Sequence, residues 1–134
     1  MKSLDTNVLA QFFISDADDR QAIKQQPAAV AAMSGRAFIS VTVLLELEWV
    51  KRGFYELTRP AISKVFSALL GLDHITIEDR AAVILAINAF NSGLDFADAM
   101  HVFRSGQASS FVTFDQKLAK RSKLIGIPVK VELI

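Results

Sequence analysis

The chain has 134 residues, of which 51% are hydrophobic and 22% are charged, with a formal net charge of +1 and no cysteine. This composition is too apolar for a disordered chain, and the length suits one domain spanning residues 1–134. The near-neutral charge argues against a strongly basic nucleic-acid coat, and the missing cysteines exclude disulfides, thiolate zinc sites and cysteine nucleophiles. Uncharged apolar runs such as Ala81–Ile87 fall short of the roughly 20 residues that span a membrane. We therefore expect a soluble, cytoplasmic domain.

Short strand patterns alternate with longer helical patterns along the whole sequence. In chain order, the patterns predict strand Lys2–Leu4, helix Thr6–Phe13, helix Asp19–Met33, strand Ala37–Ser40, helix Val43–Arg52, helix Pro60–Leu70, strand His74–Ile77, helix Glu78–Phe90, helix Phe96–Ser105, strand Ser110–Phe114, helix Gln116–Lys123 and strand Val129–Leu133. This alternation predicts an α/β domain with a mainly parallel sheet.

Aspartates stand where predicted strands give way to predicted helices. Asp5 and Asp115 each follow a strand, and Asp95 and Asp98 open the helix that begins near residue 96. Each aspartate alone could be an ordinary helix cap. In parallel sheets, however, ligands bind at the carboxyl ends of strands, and two carboxylates ~5 Å apart at an effective dielectric of ~20 repel by about 3 kcal/mol. A hard divalent cation such as Mg²⁺ or Mn²⁺ would remove that repulsion.

The segment VTVLLELEWVKR carries two glutamates that point to different sides of one predicted helix. Glu48 has Lys51 and Arg52 three and four residues later, which predicts a solvated acid in a surface ion pair. Glu46 has no basic residue among its helical neighbours. The apolar stripe that it borders consists of Val43, Leu47 and Val50. Such a carboxylate needs a partner or its pKa rises, although it could also reach water or a distant lysine. On the residues alone, a functional role and an ordinary surface role both stay open for Glu46.

Four segments together resemble those of the PIN-domain nucleases, and most closely the VapC-type toxins of toxin–antitoxin pairs. These segments are LDTN, SVTVLLELEWV, DFADAMH and TFDQKLAK, in that order and spread over nearly the whole chain. The resemblance implies a three-layer α/β/α sandwich with a central, mainly parallel sheet. It also implies a Mg²⁺- or Mn²⁺-dependent endoribonuclease that acts as the toxin of a type II toxin–antitoxin system.

The resemblance also assigns site residues. The acids that would bind the metal and support RNA cleavage are Asp5, Glu46, Asp98 and Asp115. The residues that would support them near the metal are Asp95, Thr6, Asn7 and Thr113. Of the two histidines, we expect His74 to be structural. His101 shares a helix face with Asp98 and could reach the substrate, although such a histidine is more often a packing residue.

Basic residues follow two of these acids, which suits a phosphate-backbone substrate. The predicted RNA contacts are Lys51, Arg52, Lys117, Lys120 and Arg121, with Lys123 next to them. A solvated helix face is an alternative for each of them. Few aromatic residues lie among these charges, so base stacking is not evident. Leu45 and Trp49 lie on a side of their helix away from its apolar stripe, which suggests an interface or burial on two sides. The resemblance implies a homodimer and an antitoxin whose C-terminal segment blocks the acidic groove.

Other small α/β proteins also place an aspartate after a strand. A phospho-receiver module, which is not an enzyme, needs an acidic pair there, but Thr6 and Asn7 follow Asp5. A phosphatase of the haloacid dehalogenase type needs a second aspartate where this chain has Asn7. A PIN-type module kept only for binding is a further alternative, and the complete set of four acids argues against it.

Overall fold

The structure is a computed structural model that describes residues 1–14, 18–53 and 55–134. Its elements, in chain order, are β1 (Lys2–Ser3), α1 (Thr6–Phe13), α2 (Arg20–Ser34), β2 (Ala37–Ile39), α3 (Val41–Gly53), α4 (Arg59–Leu70), β3 (Ile75–Ile77), α5 (Arg80–Asn91), α6 (Phe96–Phe103), β4 (Phe111–Thr113), α7 (Gln116–Ile125) and β5 (Val131–Leu133). The chain forms two compact units, Met1–Glu78 and Asp79–Ile134.

The first unit is built on a parallel sheet with strand order β1-β2-β3. Helix α1 packs against α2 and α3, and α4 packs against α3 and β3. The apolar core of this unit includes Leu9, Ile39, Leu44, Leu47, Ile62, Phe66 and Leu69. Leu4 and Asp5 join β1 to α1, so Asp5 lies just beyond the carboxyl end of a parallel strand.

The second unit contains the parallel pair β4-β5, with α7 packed against both strands. Helices α5 and α6 pack against each other, and the rings of Phe90 and Phe96 meet edge to face with centroids 6.1 Å apart. Strand β4 leads through Phe114 and Asp115 into α7. Asp115 therefore also follows the carboxyl end of a parallel strand.

The predicted elements are confirmed, with boundaries that differ from the structure by at most two residues. The α/β class with parallel strand pairing is confirmed as well. The largest difference within the first unit is the start of α3, two residues earlier than its apolar pattern predicts. Two side chains explain this early start. The Ser40 hydroxyl accepts a hydrogen bond from the backbone N–H of Val43 at 3.3 Å, and the Glu78 carboxylate accepts one from Val41 at 2.9 Å.

Within residues 1–14, 18–53 and 55–134, we find no helix that combines the length and the apolar character needed to cross a membrane. The single domain over residues 1–134 stays a prediction.

Candidate functional site

Asp5 lies at the start of α1 and caps that helix. One of its carboxylate oxygens accepts a hydrogen bond from the backbone N–H of Thr6 at 2.8 Å. The Thr6 side chain is 2% exposed, and its hydroxyl has no hydrogen-bond partner within the part of the chain that the structure describes. Asn7 is exposed and lines a cleft of about 240 Å³ beside α1 and α2. Asp5 thus keeps a second oxygen for another ligand, and an uncommitted hydroxyl follows it directly.

Glu46 and Glu48 differ in exposure in the opposite sense from the sequence prediction. Glu46 is exposed on α3, whereas Glu48 is 3% exposed and forms an ion pair with the half-exposed Arg52 at 3.5 Å. The prediction of Glu48 as a solvated surface acid is therefore wrong. The buried side of α3 is formed by Val41, Leu44, Leu47, Glu48 and Lys51 rather than by the predicted stripe. The exposed Glu46 carboxylate is the one that a ligand can reach.

Lys51 is buried, which removes it from the surface residues that could contact RNA. Its side chain is 0% exposed, and its ammonium has no hydrogen-bond partner among the described residues. The nitrogen lies 5.6 Å from the centre of the Phe13 ring on α1, within the range of a cation–π contact. Burial lowers the pKa of Lys51 from 10.5 to about 8. The prediction of a phosphate contact by Lys51 is therefore wrong.

Asp95 and Asp98 stand on the first turn of α6, and they have different roles there. Asp95 caps the helix by accepting a hydrogen bond from the backbone N–H of Asp98 at 3.1 Å. Asp98 is half-buried. Burial raises the pKa of the Asp98 carboxyl, the neighbouring Asp95 and Asp115 carboxylates raise it further, and His101 lowers it. The Asp98 carboxyl is therefore partly desolvated and repelled by two other carboxylates.

The turn between β4 and α7 holds Asp115 in place. The Thr113 hydroxyl accepts a hydrogen bond from the backbone N–H of Asp115 at 2.9 Å, and an Asp115 carboxylate oxygen accepts one from Leu118 at 3.0 Å. The backbone N–H of Ile134 donates to the Thr113 carbonyl at 3.1 Å. Thr113 thus positions the backbone of Asp115, and the exposed carboxylate has one oxygen that the helix cap leaves free.

The chemistry of these donors fits a hard divalent cation. Asp95, Asp98 and Asp115 offer carboxylate oxygens, the ligands that Mg²⁺ and Mn²⁺ prefer, and their mutual repulsion contributes to the raised pKa of Asp98. Across the described ranges, however, there is no group of three or more acidic or histidine side chains already close enough to hold a metal ion. The side chains thus offer oxygen ligands, and their repulsion is one that a cation would relieve. Among the described residues they do not form an assembled metal site.

The remaining predicted RNA contacts are on the surface. Arg52 is half-exposed, and the basic residues of α7 are all exposed: Lys117, Lys120, Arg121 and Lys123. Helix α7 has no acidic residue. The Arg121 guanidinium lies 2.5 Å from the point that a Cβ on Gly93 would occupy, so it packs on the turn between α5 and α6. One cation of α7 therefore lies beside the segment that leads to Asp95.

The other predictions for single side chains have mixed outcomes. The ring of His74 contacts the Met33 carbonyl at 2.7 Å, which agrees with its predicted structural role. Trp49 is 64% exposed, in line with a predicted surface on α3. Sequence reasoning missed Phe114, which is 80% exposed and immediately precedes Asp115. Its place in the TFD segment was visible, but no sequence signal indicated its exposure, because phenylalanine is usually buried.

A family model described as PIN domain matches residues 3–124. The matched range contains Asp5, Glu46, Asp95, Asp98 and Asp115. No curated protein matches the chain.

Proposed function

The chain belongs to the PIN domain family, whose members are generally metal-dependent nucleases, and on this basis we propose that it is a Mg²⁺- or Mn²⁺-dependent endoribonuclease. We further propose that it acts in the cytoplasm as the VapC-type toxin of a type II toxin–antitoxin pair. The ribonuclease proposal depends chiefly on the environment of Asp98. A half-buried carboxyl that two further carboxylates repel is costly without a cation, and such costs concentrate at functional sites.

We assign the metal ligands by the motif matches. Asp5, Glu46, Asp98 and Asp115 would hold the cation, with Asp95, Thr6, Asn7 and Thr113 as supporting residues. When bound, the cation would supply Lewis-acid activation of the scissile phosphate and of the attacking water. Glu46 rather than Glu48 suits this role because Glu46 is exposed, whereas Glu48 is buried in an ion pair with Arg52.

The side chains around the acids would orient the RNA. The Thr113 hydroxyl fixes the backbone of Asp115. The Asp115 carboxylate therefore extends from a constrained turn rather than from a free loop. The exposed cations of α7 would contact phosphates and hold the strand beside the acids. Phosphate contacts are electrostatic and do not distinguish one base from another. We therefore expect RNA binding to weaken as the salt concentration rises.

A test of the metal proposal compares Asp98→Asn with Asp73→Asn, a control at an exposed aspartate outside the four motifs. Mg²⁺ or Mn²⁺ should raise the melting temperature of the wild type, because a ligand that binds only the folded state stabilises it. Asp98→Asn should lose this shift and RNA cleavage, and its metal-free stability should rise because a carboxylate repulsion is removed. Asp73→Asn should behave as the wild type. Cleavage of RNA by the wild type in excess EDTA would refute the mechanism.

A second comparison separates the two glutamates on α3. Glu46→Gln should remove most RNA cleavage at matched metal concentration while circular dichroism remains unchanged, because Gln keeps the shape of an exposed side chain. Glu48→Gln should retain cleavage and lose stability instead. A larger loss of cleavage in Glu48→Gln than in Glu46→Gln would show that the motif match assigns the wrong acid.

The toxin proposal implies a homodimer and an antitoxin partner. The exposed Trp49 on α3 offers apolar surface for such a partner. Expression of the wild type alone should slow bacterial growth, and Asp98→Asn should relieve the arrest. Co-expression with the neighbouring gene should restore growth and yield a complex that copurifies. If the protein cleaved RNA but cells tolerated it and no companion copurified, the ribonuclease proposal would stand and the toxin proposal would fail.

A further inference from the structure

Phe114 is an exposed aromatic residue beside a predicted metal ligand. Its side chain is 80% exposed. The next residue, Asp115, is one of the four acids assigned to the cation. Single exposed apolar residues are common on protein surfaces. The position of this one is distinctive, because consecutive Cα atoms are only about 3.8 Å apart. An RNA phosphate bound through a cation at Asp115 would therefore lie close along the chain to Phe114, whose ring is open to a neighbouring base.

The turn that carries the ring is constrained on both sides. The Thr113 hydroxyl binds the backbone N–H of Asp115, and the Thr113 carbonyl accepts a hydrogen bond from Ile134. Asp115 in turn caps α7. The backbone on either side of the ring is therefore ordered before any ligand binds, which favours binding. In contrast to a fold-stabilising phenylalanine, Phe114 gains little from burial within its own chain.

The charge around the ring identifies what would cover it. Helix α7 begins just after Asp115 and carries four exposed cations and no acid: Lys117, Lys120, Arg121 and Lys123. Cations that follow a phosphate backbone, combined with an aromatic platform, characterise sites for single-stranded nucleic acid.

We propose that Phe114 is a base-stacking platform that binds one unpaired base of an RNA strand next to the phosphate that a cation at Asp115 would bind. This proposal rests on the proposed ribonuclease function and adds to it a base contact beside the cleavage position. Phe114 is then a positioning residue, since it would hold the strand while the acids and the cation act on the phosphate. The base identity is not read by the ring, because every base offers a stackable face.

The test measures binding in EDTA, so that it does not require cleavage. The probes are a single-stranded oligoadenylate and an abasic oligoribonucleotide of equal length and charge. The wild type should bind the oligoadenylate more tightly than the abasic strand. Phe114→Leu should weaken oligoadenylate binding about 5- to 150-fold, as expected from the loss of one base–aromatic stack, and leave abasic binding unchanged. Any repulsion by the metal-free acids is the same for both proteins and cancels in the ratio.

Matched variants separate stacking on the Phe114 ring from a general loss of apolar surface. Leu124→Ala, which alters a side chain on α7 that is 78% exposed, should bind as the wild type does. Phe114→Trp in a Trp49→Phe background should restore binding, and its fluorescence should be quenched by oligoadenylate but not by the abasic strand. Equal binding of both probes by the wild type, or no loss in Phe114→Leu, would overturn the platform while leaving metal-dependent cleavage intact. A change of oligomeric state in Phe114→Leu would also overturn it, because the ring would then belong to an interface between copies.

Discussion

Replacing Lys51 with methionine should stabilise the protein at neutral pH. The Lys51 ammonium is buried without a hydrogen bond among the described residues, and burial lowers its pKa from 10.5 to about 8. At 1.36 kcal/mol per pH unit, keeping this group charged costs the folded state about 3 kcal/mol. Cation–π attraction to Phe13 offsets about 1–2 kcal/mol of that cost. Methionine fills the same space without a charge, so we expect the free energy of unfolding to rise by about 1–2 kcal/mol.

The pH dependence of this gain follows from the lowered pKa. Below about pH 8 the lysine is protonated in both the folded and the unfolded protein, and the wild type carries the full cost of the buried charge. Between about pH 8 and 10.5 the unfolded chain binds more protons than the folded one, so wild-type stability rises with pH relative to the variant. The advantage of Lys51→Met should therefore be largest near neutral pH and shrink as the pH approaches 10.5.

Urea denaturation of both proteins at neutral and alkaline pH measures this difference. Lys64→Met, at an exposed lysine on α4, is the control and should change stability little at either pH. If Lys51→Met were less stable than the wild type at neutral pH, or if the difference did not depend on pH, the reasoning would be refuted. The ammonium would then be stabilised by contacts that outweigh its desolvation.

Three further predictions concern stability, each measured by urea denaturation. Glu48→Gln should lower the free energy of unfolding by about 1–3 kcal/mol, because it removes a buried carboxylate charge that pairs with the half-exposed Arg52. A loss below about 0.5 kcal/mol would indicate that the pair behaves as a surface pair. Gly93→Ala should lower the free energy of unfolding by about 1–3 kcal/mol, because the backbone has φ +104° there. The end of the flexible Arg121 side chain can move away from the new Cβ and should add little to this cost. An unchanged stability would mean that the turn can adopt another conformation. Glu78→Ala should cost about 0.5–2 kcal/mol by removing a cap from α3, while Glu78→Gln should lose less because its amide oxygen can still accept the hydrogen bond.

The sequence was sufficient for the order and type of the elements because their hydrophobic periods and turn residues agree. It failed on the orientation of α3. The buried residues Val41, Leu44, Leu47, Glu48 and Lys51 follow helical spacing, but two of the five are charged. Charged residues are rarely buried, so the less polar stripe through Val43 and neighbouring positions was the better match to a buried face. The packing of α1 and α4 on α3 determines which side of α3 is buried, and no local sequence pattern contains that information.

The candidate site shows the same division between local and long-range information. Asp5, Asp95 and Asp115 could be placed at helix starts from sequence, because capping depends on residues only a few positions apart. The raised pKa of Asp98 depends on burial and on a carboxylate 17 positions further along the chain, Asp115. The exposure of Phe114 is likewise a property of the folded chain. Neither could be derived from periodicity or spacing.

The helix caps at Asp5, Asp95 and Asp115 limit which amino acids these positions can hold. Each side chain uses one oxygen to fix a helix start and, under the proposed function, would keep its charge for a cation or its neighbours. Asparagine preserves the cap and removes the charge. Glutamate preserves the charge, but its longer side chain is not among the favoured caps, and alanine removes both. An Asn variant therefore isolates the electrostatic role of each position, whereas an Ala variant combines a loss of chemistry with a loosened helix. Aspartate both caps the helix and carries the charge. We therefore expect these positions to tolerate fewer substitutions than positions that need only a cap or only a charge.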